Sequence, residues 1–279
     1  DNAHGAYLHF LKEGSRHPIQ LGADLCCDSA HKTLPVLTGG AYLHLGPSVQ
    51  ADEAAVRNAL ALFGSTSPSW LILQSLDGAN PLLEHLPGDI AALAPHIAAL
   101  KGALLAHGFA LVGAEPLKIT VHAAKFGYSG EEMAEMLEKQ GIFCEFADRD
   151  FLVFMLTPRN TPEELDRLRS ALCALPRGAR QEMPPIALAR PKAACTPRQA
   201  AFAPRETIPV ENSLGRVLAL ANVSCPPAVP IVMCGEEIDE AAQEALRRCG
   251  IEEVTVIKAS PSGVAAMQQK VELARRSRT

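Results

Sequence analysis

Aromatic residues are scarce in this chain of 279 residues, at 5%, and no stripe of Lys and Arg is interleaved with them. A surface that stacks bases while neutralising phosphates needs both features. The net charge of −5 adds no basic footprint, so nucleic acid is not an expected partner. There are eight cysteines, but no CxxC, and none stands at zinc-ligand spacing from a histidine. No metal site is therefore expected, and the thiols read as small buried or half-buried side chains of a reducing cytoplasm. Long apolar runs are missing as well. The most apolar window, 90–106, is interrupted by Pro95, His96 and Lys101 and is too short and too polar to cross a bilayer, so no membrane partner is expected. No signal peptide precedes it and no internal repeat is visible. The chain opens on Asp1-Asn2-Ala3-His4-Gly5 without a methionine or leader, which reads as the middle of a domain.

What is present is an ordinary globular composition, 48% hydrophobic and 20% charged, long enough for two domains with cores. Residues 1–113 alternate short strands and helices. Strands are expected at 23–28 and 41–45, between turn residues. Val56, Leu60 and Phe63 recur at helical spacing, as do Ile90, Leu93, Ile97, Leu100 and Leu104. The second helix is expected to bend or restart at Pro95, with Gly108 in its C′ position.

Residues 114–176 read as a small α/β unit of their own. Strands at 117–122, 142–147 and 151–156 surround a helix opened by a Ser129/Glu132 capping box. A second helix follows, opened by Thr161, Pro162 and Glu164. Prolines then crowd the stretch 176–209, which is expected to be irregular. Residues 177–279 form a last α+β unit, with strands at 217–220, 231–233 and 254–257 around a helix at about 237–249.

Chemistry concentrates at Ser29-Ala30-His31-Lys32. A lysine at the end of a buried strand, in a turn rich in hydroxyls, is placed to form an imine once partly desolvated. Ser29 and His31 can donate hydrogen bonds to a phosphate, Thr33 and Thr38 add polar groups, and Gly39-Gly40 lets backbone approach a ligand. A His-Lys pair alone is more often surface decoration. Likewise Asp1 alone could be a turn cap, and His4 a satisfied core histidine.

Order along the chain changes that weighting. Asp1-Asn2-Ala3-His4-Gly5, Gly22-Ala23-Asp24, Ser29-Ala30-His31-Lys32-Thr33-Leu34, Ser65-Thr66-Ser67-Pro68-Ser69 and Ser75-Leu76-Asp77 follow one another at consistent spacing. In these segments the chain resembles the Orn/Lys/Arg decarboxylase family of pyridoxal-phosphate enzymes. Leu117-Lys118-Ile119, Gly127-Tyr128-Ser129-Gly130, Gly215-Arg216-Val217 and Gly235-Glu236 extend the likeness more thinly to the carboxy-terminal part.

The resemblance implies an α/β fold of the fold-type-I, aspartate-aminotransferase-like class. Residues 1–113 would be the C-terminal part of the cofactor-binding large domain, 114–176 the small α/β unit and 177–279 the family's C-terminal domain. It implies pyridoxal 5′-phosphate held by Lys32 as a Schiff base. Asp1 would pair with the pyridine nitrogen, a charge-assisted hydrogen bond worth about 1.5–3 kcal/mol. Ala3 would pack beneath the ring, and His4 would reach its phenolic oxygen. Ser29 and His31 would hold the phosphate, with Ser65, Thr66 and Ser67 reaching a phosphate across a dimer interface or simply capping the next helix.

The implied reaction is decarboxylation of arginine, lysine or ornithine to its amine, in a cytoplasmic homodimer or higher oligomer. An aminotransferase on the same fold, or an inactive homologue with a dimerisation role, are the alternatives. Gly39-Gly40 stands where the family commonly has Gln, and Cys225-Pro226-Pro227-Ala228-Val229-Pro230 and Cys234 depart from its carboxy-terminal pattern, which bears on substrate choice. The strands and phosphate loop that precede the Asp1 segment in this fold are not in the chain, which therefore reads as part of a longer product.

Overall fold

A computed structural model describes residues 1–11, 14, 16–49, 52–65, 67–179, 191–221 and 230–258. The chain forms two compact units, Asp1–Gln181 and Glu182–Thr279.

The first unit begins with a 3-10 turn, Ala6–Phe10, followed by strand β1 (Leu25–Asp28), the one-turn helix α1 (Ala30–Thr33) and strand β2 (Tyr42–Leu45). β1 and β2 pair antiparallel as a two-stranded sheet. Helix α2 (Glu53–Phe63) starts at Asp52, whose carboxylate accepts the Ala54 N–H. Helix α3 (Trp70–His107) then runs without restarting through Pro81, Pro87 and Pro95. Of the bend or restart expected at Pro95, the restart does not occur. Ile90, Leu93, Ile97, Leu100 and Leu104 are all buried in one core with Leu165, Leu168 and Leu172, and that packing outweighs the lost backbone bonds. Gly108 ends the helix in the left-handed region at φ 99°, as expected. α3 is long and apolar enough to cross a membrane by length and composition, but its buried stripe belongs to the protein core.

A four-stranded antiparallel sheet follows, built from β3 (Leu111–Val112), β4 (Lys118–His122), β5 (Phe146–Ala147) and β6 (Phe151–Met155) in the order β3-β4-β6-β5. Period-two alternation turns Ile119 and Val121 of β4, and Leu152 and Phe154 of β6, to one buried face. Helices α4 (Gly130–Glu138) and α5 (Pro162–Cys173) cover it, each opened by the expected capping box, Ser129/Glu132 and Thr161/Glu164. The strand expected over 142–147 shortens to Phe146–Ala147. Residues 1–113 and 114–176, read from the sequence as separate units, share this single core.

In the second unit, α6 (Pro197–Ala201) and β7 (Arg205–Pro209) lie within the stretch expected to be irregular. The Thr196-Pro197 start with Gln199 at the third helical position is a full capping box that the density of prolines obscured. β8 (Leu218–Leu220), α7 (Glu240–Arg248) and β9 (Glu253–Ile257) complete it, with sheet order β7-β9-β8 and a core of Val210, Leu218, Ile238, Leu246, Val254 and Val256. Residues 231–233 are not a strand. They lead into a turn in which the Met233 N–H is taken by Glu236 Oε2 at 2.8 Å, which commits that carboxylate locally. Residues 225–229 and the tail after 258 lie outside the described residues.

Candidate functional site

β1 ends at Asp28, and Ser29 turns the chain into α1, so Lys32 stands half-buried one helical turn beyond the strand. The Gly40 carbonyl holds that turn by accepting both the His31 backbone N–H at 3.1 Å and the His31 ring Nδ1 at 3.0 Å. Gly40 has no room for a side chain here. A Cβ would sit 2.3 Å from Val36 Cγ1, so the second glycine of the pair is required by close packing. The Asp1 segment lies beside the same strand, where the Asn2 N–H donates to the Cys27 carbonyl at 2.9 Å. Sequence-distant motifs are thus neighbours.

Lys32 lines a small cavity of about 140 Å³ with Tyr7, Thr33, Lys118, Glu145 and Thr157. Tyr7 Oη and Thr33 Oγ1 are both buried without a hydrogen-bond partner of acceptable geometry among the described residues. Burial raises the Tyr7 phenol well above its ordinary value, with Glu115 adding to the effect and the nearby Leu117 backbone offsetting part of it. His4 is half-buried, and its pKa is lowered by burial first and then by the Lys118 and Lys32 cations, which keeps the imidazole neutral at neutral pH.

The other expected site residues divide. Ala3 is partly buried in the turn before His4, and Ser29 caps α1 by position without a side-chain capping bond. Asp1 is exposed. Ser65 and Ser67 are exposed in the α2–α3 loop, where the Ser67 N–H donates to Ser65 Oγ at 3.1 Å, and neither lines the Lys32 cavity. Thr66 lies outside the described residues.

Sequence reasoning missed one polar group entirely. Asp28, buried at 2% exposure, accepts from Asn2 Nδ2 at 2.8 Å and faces His17 Nε2 at 2.8 Å and His44 Nε2 at 2.9 Å. Burial pushes this carboxyl up, but the hydrogen bonds from His17 and Asn2 outweigh it, and its pKa falls below the ordinary carboxylate value. The clue was available: β1 alternation puts Cys26 and Asp28 on one face, and antiparallel pairing sets His44 opposite Cys26, diagonal to Asp28. His17 lies in a turn, and no periodicity announces it.

Comparison with known proteins gives these arrangements a context. Residues 1–94 match the family model for the Orn/Lys/Arg decarboxylase major domain. The chain is similar to the uncharacterized protein YaaO of Bacillus subtilis, at 30% identity over 270 residues, covering 89% of this chain and 55% of that protein. It is also similar to the arginine decarboxylase of Bacillus subtilis, at 28% over 264 residues, covering 86% and 53%. Its fold matches the constitutive lysine decarboxylase of E. coli (TM-score 0.68, 18% identity, 92% of this chain and 54% of that one). Lysine decarboxylase A of Pseudomonas aeruginosa gives a TM-score of 0.69 at 17% identity, over 92% and 53%. The α/β fold class expected from the sequence is the one observed. The chain spans about half the length of the curated relatives it matches.

Proposed function

We propose that this chain, whose residues 1–94 match the Orn/Lys/Arg decarboxylase major domain, is part of such an enzyme, and that the full site decarboxylates a basic amino acid with pyridoxal phosphate anchored on Lys32. The observation that carries the proposal is the pairing of a half-buried Lys32 with uncommitted polar groups around one cavity. Among the described residues Thr33 Oγ1 has no hydrogen-bond partner and Tyr7 Oη has only the Leu117 backbone nearby, and such buried hydroxyls cost about 1–3 kcal/mol each unless a ligand supplies the missing bonds. The donor set therefore suits the cofactor. At about 140 Å³ the cavity is smaller than a typical small-molecule site of roughly 300–1,000 Å³, so these residues form one wall of the site.

Pyridoxal phosphate, when bound, supplies the electron sink that lets a Cα–carboxylate bond break. The chain's residues do the rest. Lys32 Nζ would provide the covalent anchor, and Asp1 would accept a hydrogen bond from the cofactor's pyridine nitrogen. Neutral His4 donates or accepts a hydrogen bond without placing another positive charge beside Lys32 and Lys118. Ser29 and His31 would hold the phosphate at the start of α1. Glu145, on the rim of the cavity, offers a negative charge to a cationic substrate. Arginine, lysine and ornithine all present such a charge, and the relatives named above include arginine and lysine decarboxylases. The same reading includes a cytoplasmic homodimer in which the exposed Ser65–Ser67 loop serves the partner's site.

Titrating the 279-residue chain with pyridoxal phosphate tests the anchor. A visible absorbance band is expected, and Lys32→Ala should abolish it. The reaction is tested by amine and carbon dioxide release from each of the three amino acids. Amino transfer to pyruvate or oxoglutarate without carbon dioxide would sink the decarboxylase reading in favour of an aminotransferase.

A further inference from the structure

A second cavity, of about 460 Å³, opens on the other chemistry of the first unit. Its lining includes His9, His17, Asp28, Tyr42 and His44 and shares no residue with the Lys32 cavity. At its wall, the two imidazole Nε2 atoms converge on Asp28 Oδ2 at 2.8 and 2.9 Å, and the three potential ligand atoms lie within 4.8 Å of one another. The His17 and His44 rings meet edge to face, with centroids 5.1 Å apart. We propose that His17, Asp28 and His44 bind one divalent transition-metal ion of the zinc class.

Two imidazoles and a carboxylate with an open fourth position make a three-ligand set suited to zinc. Around a tetrahedral ion with ligand bonds of about 2.0–2.1 Å, ligand atoms stand about 3.3 Å apart, so each imidazole must draw back from Asp28 by roughly half an ångström while the two imidazole nitrogens, now within 4.8 Å of each other, settle at that same spacing. His44 can supply that movement, since its side chain is 38% exposed whereas those of His17 and Asp28 are nearly enclosed. The cavity leaves space for a water or anion as fourth ligand. Outer support is already built: Asn2 Nδ2 holds the other carboxylate oxygen at 2.8 Å, fixing its orientation. The Ile19 N–H reaches His17 Nδ1 only at 3.4 Å, a long contact, so little is lost if that nitrogen carries the proton when Nε2 binds metal. The alternative is that the imidazoles simply donate hydrogen bonds to a buried carboxylate.

A metal here would also answer a structural need. It would tie the turn before β1 to both strands of a two-stranded sheet, an element of marginal stability by itself. Asp28 lies four residues before Lys32, so the ion would brace the strand end that presents the lysine. The site does not depend on the decarboxylase reading.

The test uses the full chain, stripped with a chelator and titrated with Co2+ by visible absorption and with Zn2+ by calorimetry. One ion per chain is expected, with zinc displacing cobalt and raising the melting temperature. His44→Ala, at a partly exposed position, should keep the metal-free circular dichroism spectrum and weaken binding by roughly 10–100-fold or more, and His17→Ala and Asp28→Asn should do likewise. His9→Ala alters the same cavity outside the ligand set and should leave affinity unchanged. Absence of stoichiometric binding would overturn the proposal, as would unchanged affinity in His44→Ala or an equal loss in His9→Ala. In the first two cases the network holds only protons.

Discussion

The two sheets of the first unit follow the same alternating pattern, yet they bury very different amounts of surface. In the four-stranded sheet, Ile119, Val121 and Leu152 are fully enclosed beneath α3, α4 and α5. In the two-stranded sheet, Leu25, Leu43 and Leu45 are exposed, and the neighbouring α2 buries none of its residues. Phe63, at the end of α2, is 89% exposed, and Trp70, at the start of α3, is 81% exposed. The region carrying Lys32 is therefore the more thinly supported one. The turn that carries Lys32 lies on it, whereas the four-stranded sheet supplies the core that anchors α3 and, through Lys118 and Met155, part of the lining of the Lys32 cavity.

The contrast can be broken most sharply by paired substitutions. Leu152→Ala, in a fully enclosed position, should lower unfolding free energy by about 2–5 kcal/mol, and Phe63→Ser should change it by no more than about 0.5 kcal/mol. Urea unfolding of both variants measures this. Equal losses would mean that α2 is covered by something the first unit does not show. A smaller effect is expected at the cap of α5, where Thr161→Ala removes the bond to the Glu164 N–H and should cost about 1 kcal/mol. Melting curves of the two proteins would resolve it.

Acidification should sharpen the comparison from the other side. His4 has a folded pKa below the ordinary histidine value of 6.5, so the unfolded chain binds its proton first. Its contribution is fully present above that value and is lost as pH falls towards the folded pKa. Asp28, lowered from 3.8, contributes above that pH and loses its contribution only in stronger acid. The wild type should therefore lose stability between pH 7.5 and pH 5 more steeply than His4→Gln. Amide exchange should show the loss around β1 before β4. Identical pH slopes in the two proteins would remove His4 from the account.

Much of this was legible beforehand. The capping boxes at Ser129 and Thr161 and the stop at Gly108 are short-range hydrogen-bonding patterns that nearby residues specify, and they appear as expected. The continuous α3 was not legible, because Pro95 is a local breaker and the packing of Leu93, Ile97 and Leu100 that overrides it is not local. Lys32 and its turn could be located from order along the chain. Tyr7 and Thr33 as partnerless hydroxyls, and His17 facing Asp28, could not, because each depends on chain segments meeting in space.

The sequence by itself carried the family resemblance, the candidate lysine, the strand–turn–helix that holds it and the places where most helices begin. These follow from local spacing and side-chain chemistry, which act over a few residues. The tertiary structure alone decided that residues 1–113 and 114–176 share one core, that Lys32 faces a cavity with unused hydroxyls, and that Asp28 draws two distant histidines to one oxygen. Burial and long-range pairing set those outcomes. Their free energy exists only once the chain has closed on itself.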